Sequence, residues 1–266
     1  MCKNKINKTA LITGASSGIG YELTKLFARD FYNLILVARN TDKLKEIQKD
    51  LNKKYNIDII IITKDLSVPN AAVEIFNEIE KKQIVINILV NDAGIGSFGI
   101  FNNESMLKIS QMIQVNITAL TELTKLFLKG MVERKQGKIL NVSSLAAFEP
   151  GPYMAVYYAT KAYVQSFSEA ITNELKETGV TVTTLCPGPT KTGFQNKVGS
   201  ENSNLEKLKL LSSSKKVAEY AYKSLLAGKE VAIPGFLNAS LVNASYIIPR
   251  KVKANIIRKL QEFNRK

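Results

Sequence analysis

Short, nearly continuous apolar runs recur along this chain, each followed by a polar turn and then by a segment with helical spacing. The runs are Thr9–Thr13 (TALIT), Leu34–Ala38 (LILVA), Ile57–Thr63, Ile84–Val90, Lys138–Val142 and Val180–Leu185. A strand that faces solvent on one side alternates polar with apolar residues, whereas a run without alternation is a strand buried on both faces. Between the runs, Ile19, Leu23, Leu26 and Phe27 mark one helix ending at Arg29, and Asp42–Lys54 marks a second. A third starts near Ser67 and Pro69 and carries Val73, Phe76 and Ile79. Strand and helix alternating in this way predict an α/β fold: a doubly wound parallel sheet with helices on both faces. With 266 residues, 45% of them hydrophobic, and no interdomain linker, the chain reads as one domain over 1–266.

Such sheets bind ligands at the carboxyl ends of their strands. Gly14, Arg39, Asp65, Asn91 and Ser144 all fall at predicted strand ends. The first strand runs into Gly14-Ala-Ser-Ser-Gly18-Ile-Gly20 and then into a helix. Glycines let a ligand approach the backbone, and a helix start offers free N–H groups and a positive dipole end, so this turn is a phosphate-binding candidate in a Rossmann-like unit. Its GxxxGxG spacing differs from the GxGxxG dinucleotide fingerprint. After the second strand, where many dinucleotide folds carry an acid for a ribose hydroxyl, the chain has Ala38-Arg39-Asn40. Arg39 suits a 2′-phosphate, the alternative being a surface arginine at a strand end.

Tyr157 and Lys161 lie four apart on a predicted helix, with Ser144 thirteen residues upstream of Tyr157. Residues at this spacing share a helix face. A unit positive charge ~4 Å from a phenol, at an effective dielectric of ~20, favours the phenolate by ~4 kcal/mol. That corresponds to about three pKa units, which would bring the phenol near neutrality. The chain has no histidine, so proton transfer must use another group, and Tyr157 is the first candidate. Tyr158, three residues before Lys161, is its rival.

Asn116 interrupts a helical region running from about Glu104 to Glu133, where an asparagine is either solvent-facing or inserted for function. Thr190–Ser214 is polar and lysine-rich, with a weak helical stretch at Leu205–Leu211, and is expected to be a mobile lid over a substrate. A helix over Lys215–Leu226 and a last strand at Glu230–Pro234 follow. The segment 236–266 pairs an apolar stretch, Phe236–Ile248, with a basic amphipathic helix bearing Val252, Ile256, Leu260 and Phe263 on one face. Packing or subunit contact is the default for that tail, and membrane-surface attachment is the minority alternative.

Composition excludes some classes. Cys2 and Cys186 form no metal-ligand pattern, and without histidine no metal site is expected. Two thiols fit a reducing compartment, and with no signal-peptide pattern and no ~18-residue apolar run the expectation is a cytoplasmic protein. The net charge of +14, from 37 basic and 23 acidic residues, is scattered rather than striped, so no specific nucleic-acid partner is expected.

The motifs together resemble the short-chain dehydrogenase/reductase family, in the branch of about this length. Thr13-Gly-Ala-Ser-Ser-Gly-Ile-Gly20 matches its cofactor turn and Asn91-Asp-Ala-Gly94 resembles its NNAG motif, with Asp92 in place of the second asparagine. Ser144, Tyr157-x-x-x-Lys161 and Pro187-Gly188 with Thr192 follow in order. The resemblance implies a catalytic set of Asn116, Ser144, Tyr157 and Lys161. It implies a cofactor set of Gly14, Ser16, Ser17, Gly18, Ile19, Gly20, Arg39, Asp65, Leu66, Asn91, Ala93, Gly94, Tyr157, Lys161, Pro187, Gly188, Thr190 and Thr192. In it Asp65 would contact adenine and Thr192 the nicotinamide carboxamide, and Arg39 goes with NADP(H) over NAD(H). Ser17 stands where many NADP enzymes carry a basic residue. Pro187–Phe194 and the basic tail resemble a bacterial subgroup whose relatives include ketosteroid and long-chain ketoacyl reductases.

The expected reaction is hydride transfer from NADPH to the carbonyl of a small-molecule ketone, or the reverse on an alcohol. Tyr157 would be the acid, Ser144 would bond the carbonyl, Lys161 would tune the tyrosine and hold the ribose, and Asn116 would place a relay water. Phe98, Phe101, Phe148, Pro150, Pro152 and Phe194 suggest an apolar ligand, a ketosteroid-like or ketoacyl one among them. A homodimer or homotetramer is expected. The alternative is a non-catalytic NADP(H)-sensing protein on the same fold, which would need only the cofactor half.

Overall fold

The computed structural model describes residues 8–199 and 211–262. β1 (Thr9–Thr13), α1 (Gly18–Arg29), β2 (Asn33–Ala38), α2 (Thr41–Asn52), β3 (Ile59–Thr63), α3 (Ala71–Lys81) and β4 (Ile86–Asn91) form the first half. The second half has α4 (Met106–Ile113), α5 (Leu120–Glu133), β5 (Gly137–Val142), α6 (Ala155–Glu174) and β6 (Val180–Leu185). After them come two-residue strands β7 (Thr190–Lys191) and β8 (Ser212–Ser213), α7 (Phe194–Val198), α8 (Ser214–Leu226), β9 (Val231–Ala232), α9 (Phe236–Ser245) and α10 (Arg250–Gln261). The sheet order is β3-β2-β1-β4-β5-β6-β9, parallel throughout. This is the doubly wound sheet expected from the apolar runs, and strand edges shift by only one or two residues.

Strand residues alternate between two cores. Ala10, Ile12, Leu34, Leu36, Ile88, Val90 and Leu140 pack toward α1, α2 and α8, whose Leu23, Phe27, Leu44 and Leu225 complete that layer. Leu11, Ile35, Val37, Leu89, Ile139 and Val182 face α3 and α5, with Ile75, Ile79, Leu123 and Phe127. Because both faces are covered, each strand needs apolar residues at every position. Each large-to-small change there costs about 2–5 kcal/mol.

The strand order reverses between β1 and β4, which opens a crevice at the carboxyl edge of the sheet. Thr13 fixes this point. Its Oγ1 accepts from the amides of Asp92 and Ala93, both at 3.1 Å, and donates to Val90 O at 3.3 Å. The expected Glu104–Glu133 helix is three pieces: α4, a π-helical turn over Gln114–Ala119, and α5. The helix expected to start near Ser67 begins at Ala71, after Asn70 at φ 65°.

Candidate active site

The glycine turn is shaped by what lies behind it. Gly14 and Gly18 have φ of 70° and 60°, conformations that L side chains rarely adopt. A Cβ on Gly20 would lie 2.5 Å from Asp92 Oδ2, which accepts the Gly20 amide at 2.9 Å. Asp92 thus occupies one of the free donors at the start of α1, a contact the sequence motif did not reveal. Burial pushes its carboxyl up to about 7, against the pull of Lys161 and the Gly20 amide. Ser17 is exposed at the N-cap without a side-chain capping bond, and the first turn of α1 carries no acid. A Cβ on Gly18 would lie 3.0 Å from Thr192 Cβ, which brings the Thr190–Thr192 segment over the turn.

Arg39 and Asp65 meet at the ends of β2 and β3, with Arg39 Nη1 3.9 Å from Asp65 Oδ2, both partly exposed. Burial opposes ionisation of Asp65, but hydrogen bonding from Ser67 and the Arg39 charge outweigh it and hold the carboxyl below its usual value. Leu66 is buried beside them. Asn40 is spent as the N-cap of α2, accepting from the Lys43 amide at 2.9 Å, so Arg39 is the phosphate candidate of the pair. Asn91 departs from expectation. Its amide is buried and donates to Thr124 Oγ1 at 3.1 Å and Asn141 Oδ1 at 2.9 Å, and Asn141 in turn reaches Ser168. The side chain ties β4 to β5 and α5 instead of lining the cleft, because a polar group inside a two-sided core must find partners there.

Ser144 follows β5 in extended backbone and caps a 3₁₀ turn, its Oγ accepting from the Ala146 amide at 3.1 Å. Ser144 also faces the Tyr157 hydroxyl and favours its ionised form, yet burial dominates and pushes the phenol up. The depression expected from a phenol–ammonium contact is therefore not what the protein alone has. Lys161 Nζ donates to Val142 O at 2.8 Å and sits 5.8 Å from the Tyr157 ring centre. Burial lowers Lys161 to about 8, with Asp92 and Cys186 opposing. Ser143 anchors the same lysine's main chain, its Oγ donating to Lys161 O at 2.8 Å.

The rival tyrosine is engaged elsewhere. Tyr158 is buried, its ring occupies the space a side chain on Gly151 would need, and its Oη accepts from Gln261 of α10 at 3.1 Å. Tyr157, half-buried, instead faces Phe194 across a ring distance of 5.3 Å and lies beside Gly96.

Asn116 sits in the π turn, almost fully buried. Its Oδ1 accepts from Ile95 N and its Nδ2 donates to Ile95 O, both at 2.9 Å, and Nδ2 also reaches Thr160 Oγ1 at 3.0 Å. The wider turn is what lets a mid-helix asparagine face inward. A Cβ on Gly94 would lie 3.5 Å from both Asn116 Oδ1 and Lys161 Nζ, so the open space over Gly94 is shared by the two groups.

Pro187 is buried and Thr190 Oγ1 turns back onto Gly188 O at 2.7 Å. Thr192 Oγ1 accepts from the Phe194 amide at 3.2 Å. The expected lid over 190–214 is anchored at both ends by β7–β8 pairing. Residues 200–210, including most of the predicted Leu205–Leu211 stretch, lie outside the described residues. Within this segment, Phe194 and Val198 lie against Tyr157 and Gly96, in an apolar cluster with Phe98, Met154 and Tyr158. A cavity of about 820 Å³ flanks this cluster; Phe98 is common to both, and Tyr153, Ile100, Lys108 and Arg258 line the cavity farther out.

These residues fit a dinucleotide: a glycine cradle at a helix start, an exposed arginine after β2, and an open space at Gly94 faced by Lys161 and Asn116. A family model described as short chain dehydrogenase matches residues 8–203. The very-long-chain 3-oxoacyl-CoA reductase-A of Danio rerio is 33% identical over 189 residues, 69% of this chain and 58% of that protein. The chain thus spans about three fifths of the length of such relatives. A short-chain dehydrogenase from Sphingobium yanoikuyae, solved with NADPH, is 28% identical, covers 91% of this chain and 97% of its own, and has a TM-score of 0.80. A bulky-bulky ketone specific alcohol dehydrogenase from Comamonas testosteroni is 27% identical, covers 92% and 96%, and has a TM-score of 0.77. The chain belongs to the short-chain dehydrogenase family.

Proposed function

We propose that the protein is an NADP(H)-dependent reductase of bulky apolar ketones, with 3-oxoacyl groups the leading substrate class. The observation that carries this is the convergence of Ser144, Tyr157, Lys161 and Asn116 on one end of the sheet, beside an apolar cluster. A bound nicotinamide supplies the hydride. Ser144 Oγ and Tyr157 Oη then hold the substrate oxygen, and the Tyr157 proton passes to that oxygen as charge develops on it. Lys161, anchored on Val142, keeps a positive charge behind the tyrosine, and a proton replacing the one lost arrives through the space shared with Asn116. Phe98, Phe194 and Val198 exclude water and select apolar groups. Arg39 supports NADP(H), since an exposed guanidinium at this edge matches a phosphate.

Support for the substrate class comes from the Danio rerio very-long-chain 3-oxoacyl-CoA reductase-A and the Comamonas testosteroni bulky-bulky ketone specific alcohol dehydrogenase to which the chain is similar. A cytoplasmic homodimer or homotetramer belongs to the same reading. The experiment is cofactor oxidation with NADPH and NADH in parallel over ketones and 3-oxoacyl thioesters graded by size. Turnover that rises with apolar bulk and favours NADPH supports the proposal, and turnover confined to small polar carbonyls overturns it.

A further inference from the structure

The end of the described chain presents a surface that the active site does not use. Phe236–Pro249 contains no charged residue, and Phe236, Leu237, Leu241, Tyr246 and Ile247 are 85%, 74%, 65%, 73% and 86% exposed. α10 follows with Arg250, Lys251 and Lys259 exposed, while Lys253 is largely buried against Glu149 and Arg258 pairs with Glu262. The face α10 buries differs from the one its apolar stripe predicts. Gln261 is buried against Tyr158 and Met154, and Ile257 joins the Tyr157 cluster, while Val252 and Ile256 stay about half exposed. Phe263 lies outside the described residues.

We propose that α9 and α10 form a docking surface for an anionic lipid bilayer. An exposed apolar patch of this extent marks an interaction site. Apolar side chains beside clustered lysine and arginine are the pattern of a helix lying in the headgroup region. Charge argues for this occupant: the exposed Arg250 and Lys251 that open α10 directly follow the apolar segment and complement an anionic surface. No helix among the described residues is long and apolar enough to cross a membrane. The surface borders the candidate site. Tyr246 packs edge-on against Phe148 at 6.4 Å, Lys253 Nζ reaches Phe148 O at 3.0 Å, and the α9 residue Asn238 stands against Gly188. A carbonyl compound dissolved in the bilayer would enter from that side.

Vesicle flotation of the full chain tests this without any substrate, so its outcome is independent of the reductase reading. We expect binding to vesicles containing phosphatidylglycerol, little to phosphatidylcholine alone, and loss at high salt. The double variant Phe236→Ser/Ile247→Ser and the charge variant Arg250→Glu/Lys251→Glu should each bind roughly tenfold less while keeping wild-type near-UV circular dichroism and cofactor affinity. Absence of binding to the anionic vesicles overturns the proposal, as does equal binding by the variants. So does light scattering that shows a dimer which Phe236→Ser/Ile247→Ser dissociates.

Discussion

Lys161 Nζ donates to the main-chain carbonyl of Val142 at 2.8 Å, while the centre of the Tyr157 ring lies 5.8 Å from the same nitrogen. The ammonium is thus fixed to the end of β5, not paired with the phenol. Burial pushes the phenol up, against the Ser144 hydrogen bond that favours its ionised form. Tyr157 is held neutral, the form that the proposed reduction needs.

This gives a pH dependence. Burial brings Lys161 down to about 8, with the Asp92 charge opposing. Reduction should decline as pH rises past that value and the lysine loses its charge. Asp92→Asn removes the carboxylate and should move the alkaline limb of kcat down by roughly one pH unit. An unmoved limb would separate Asp92 from Lys161. In the folded state the lysine sits below its ordinary 10.5, so between about 8 and 10.5 the unfolded chain binds more protons. Its contribution to stability therefore rises with pH across that window.

Tyr157→Phe and Tyr158→Phe should part company. The first should lower kcat by about 10²–10⁴ with an unchanged melting temperature. The second removes the bond from Gln261 and should cost about 1 kcal/mol of stability with turnover largely kept. Steady-state kinetics with thermal melts on both variants decide, and the reverse pattern would make Tyr158 the acid.

How far the sequence showed this depends on what each residue must satisfy. Apolar runs and glycine turns are local signals, so β1, β6 and the end of α1 at Arg29 are legible to the residue, as is the edge where Gly14, Arg39 and Ser144 gather. Tyr157 and Lys161 could be paired by helix spacing, but spacing cannot show that Val142 takes the ammonium. Asn91 sits in a motif read as lining the cleft, yet its amide completes a Thr124–Asn91–Asn141–Ser168 network between distant segments. Thr13 and Asp92 stand in the motifs, but the Thr13 bonds to the Asp92 and Ala93 amides and the Asp92 bond to Gly20 join distant segments that spacing cannot pair. The exposure of Val252 and Ile256 shows that an amphipathic stripe does not say which face packs.

Asn116 holds the Ile95 backbone and, in the proposed reaction, faces the proton path. Asn116→Ala breaks three hydrogen bonds and leaves the Ile95 amide and carbonyl unpaired, which should cost about 1–3 kcal/mol and slow turnover. Chemical denaturation with kcat measured on the remaining folded protein checks both. Full stability in the variant would mean that the π turn does not depend on these bonds.

Arg39 should govern cofactor choice. Arg39→Ala should reduce kcat/KM for NADPH at least about tenfold relative to NADH, the loss of one charge-assisted phosphate contact. Its pairing with Asp65 is long and exposed, so stability should change by less than about 0.5 kcal/mol. A ratio that stays constant would remove Arg39 from the site.

In the proposed function the residues gathered at Gly94 and Tyr157 turn over a bulky apolar carbonyl. The most direct test is single-turnover NADPH oxidation by the wild type and Tyr157→Phe, with a series of 3-oxoacyl thioesters of increasing chain length. The wild-type rate should grow with chain length and be nearly abolished in Tyr157→Phe, whose NADPH affinity is retained. Tight NADPH binding by the wild type with no oxidation across the series would contradict the proposed function.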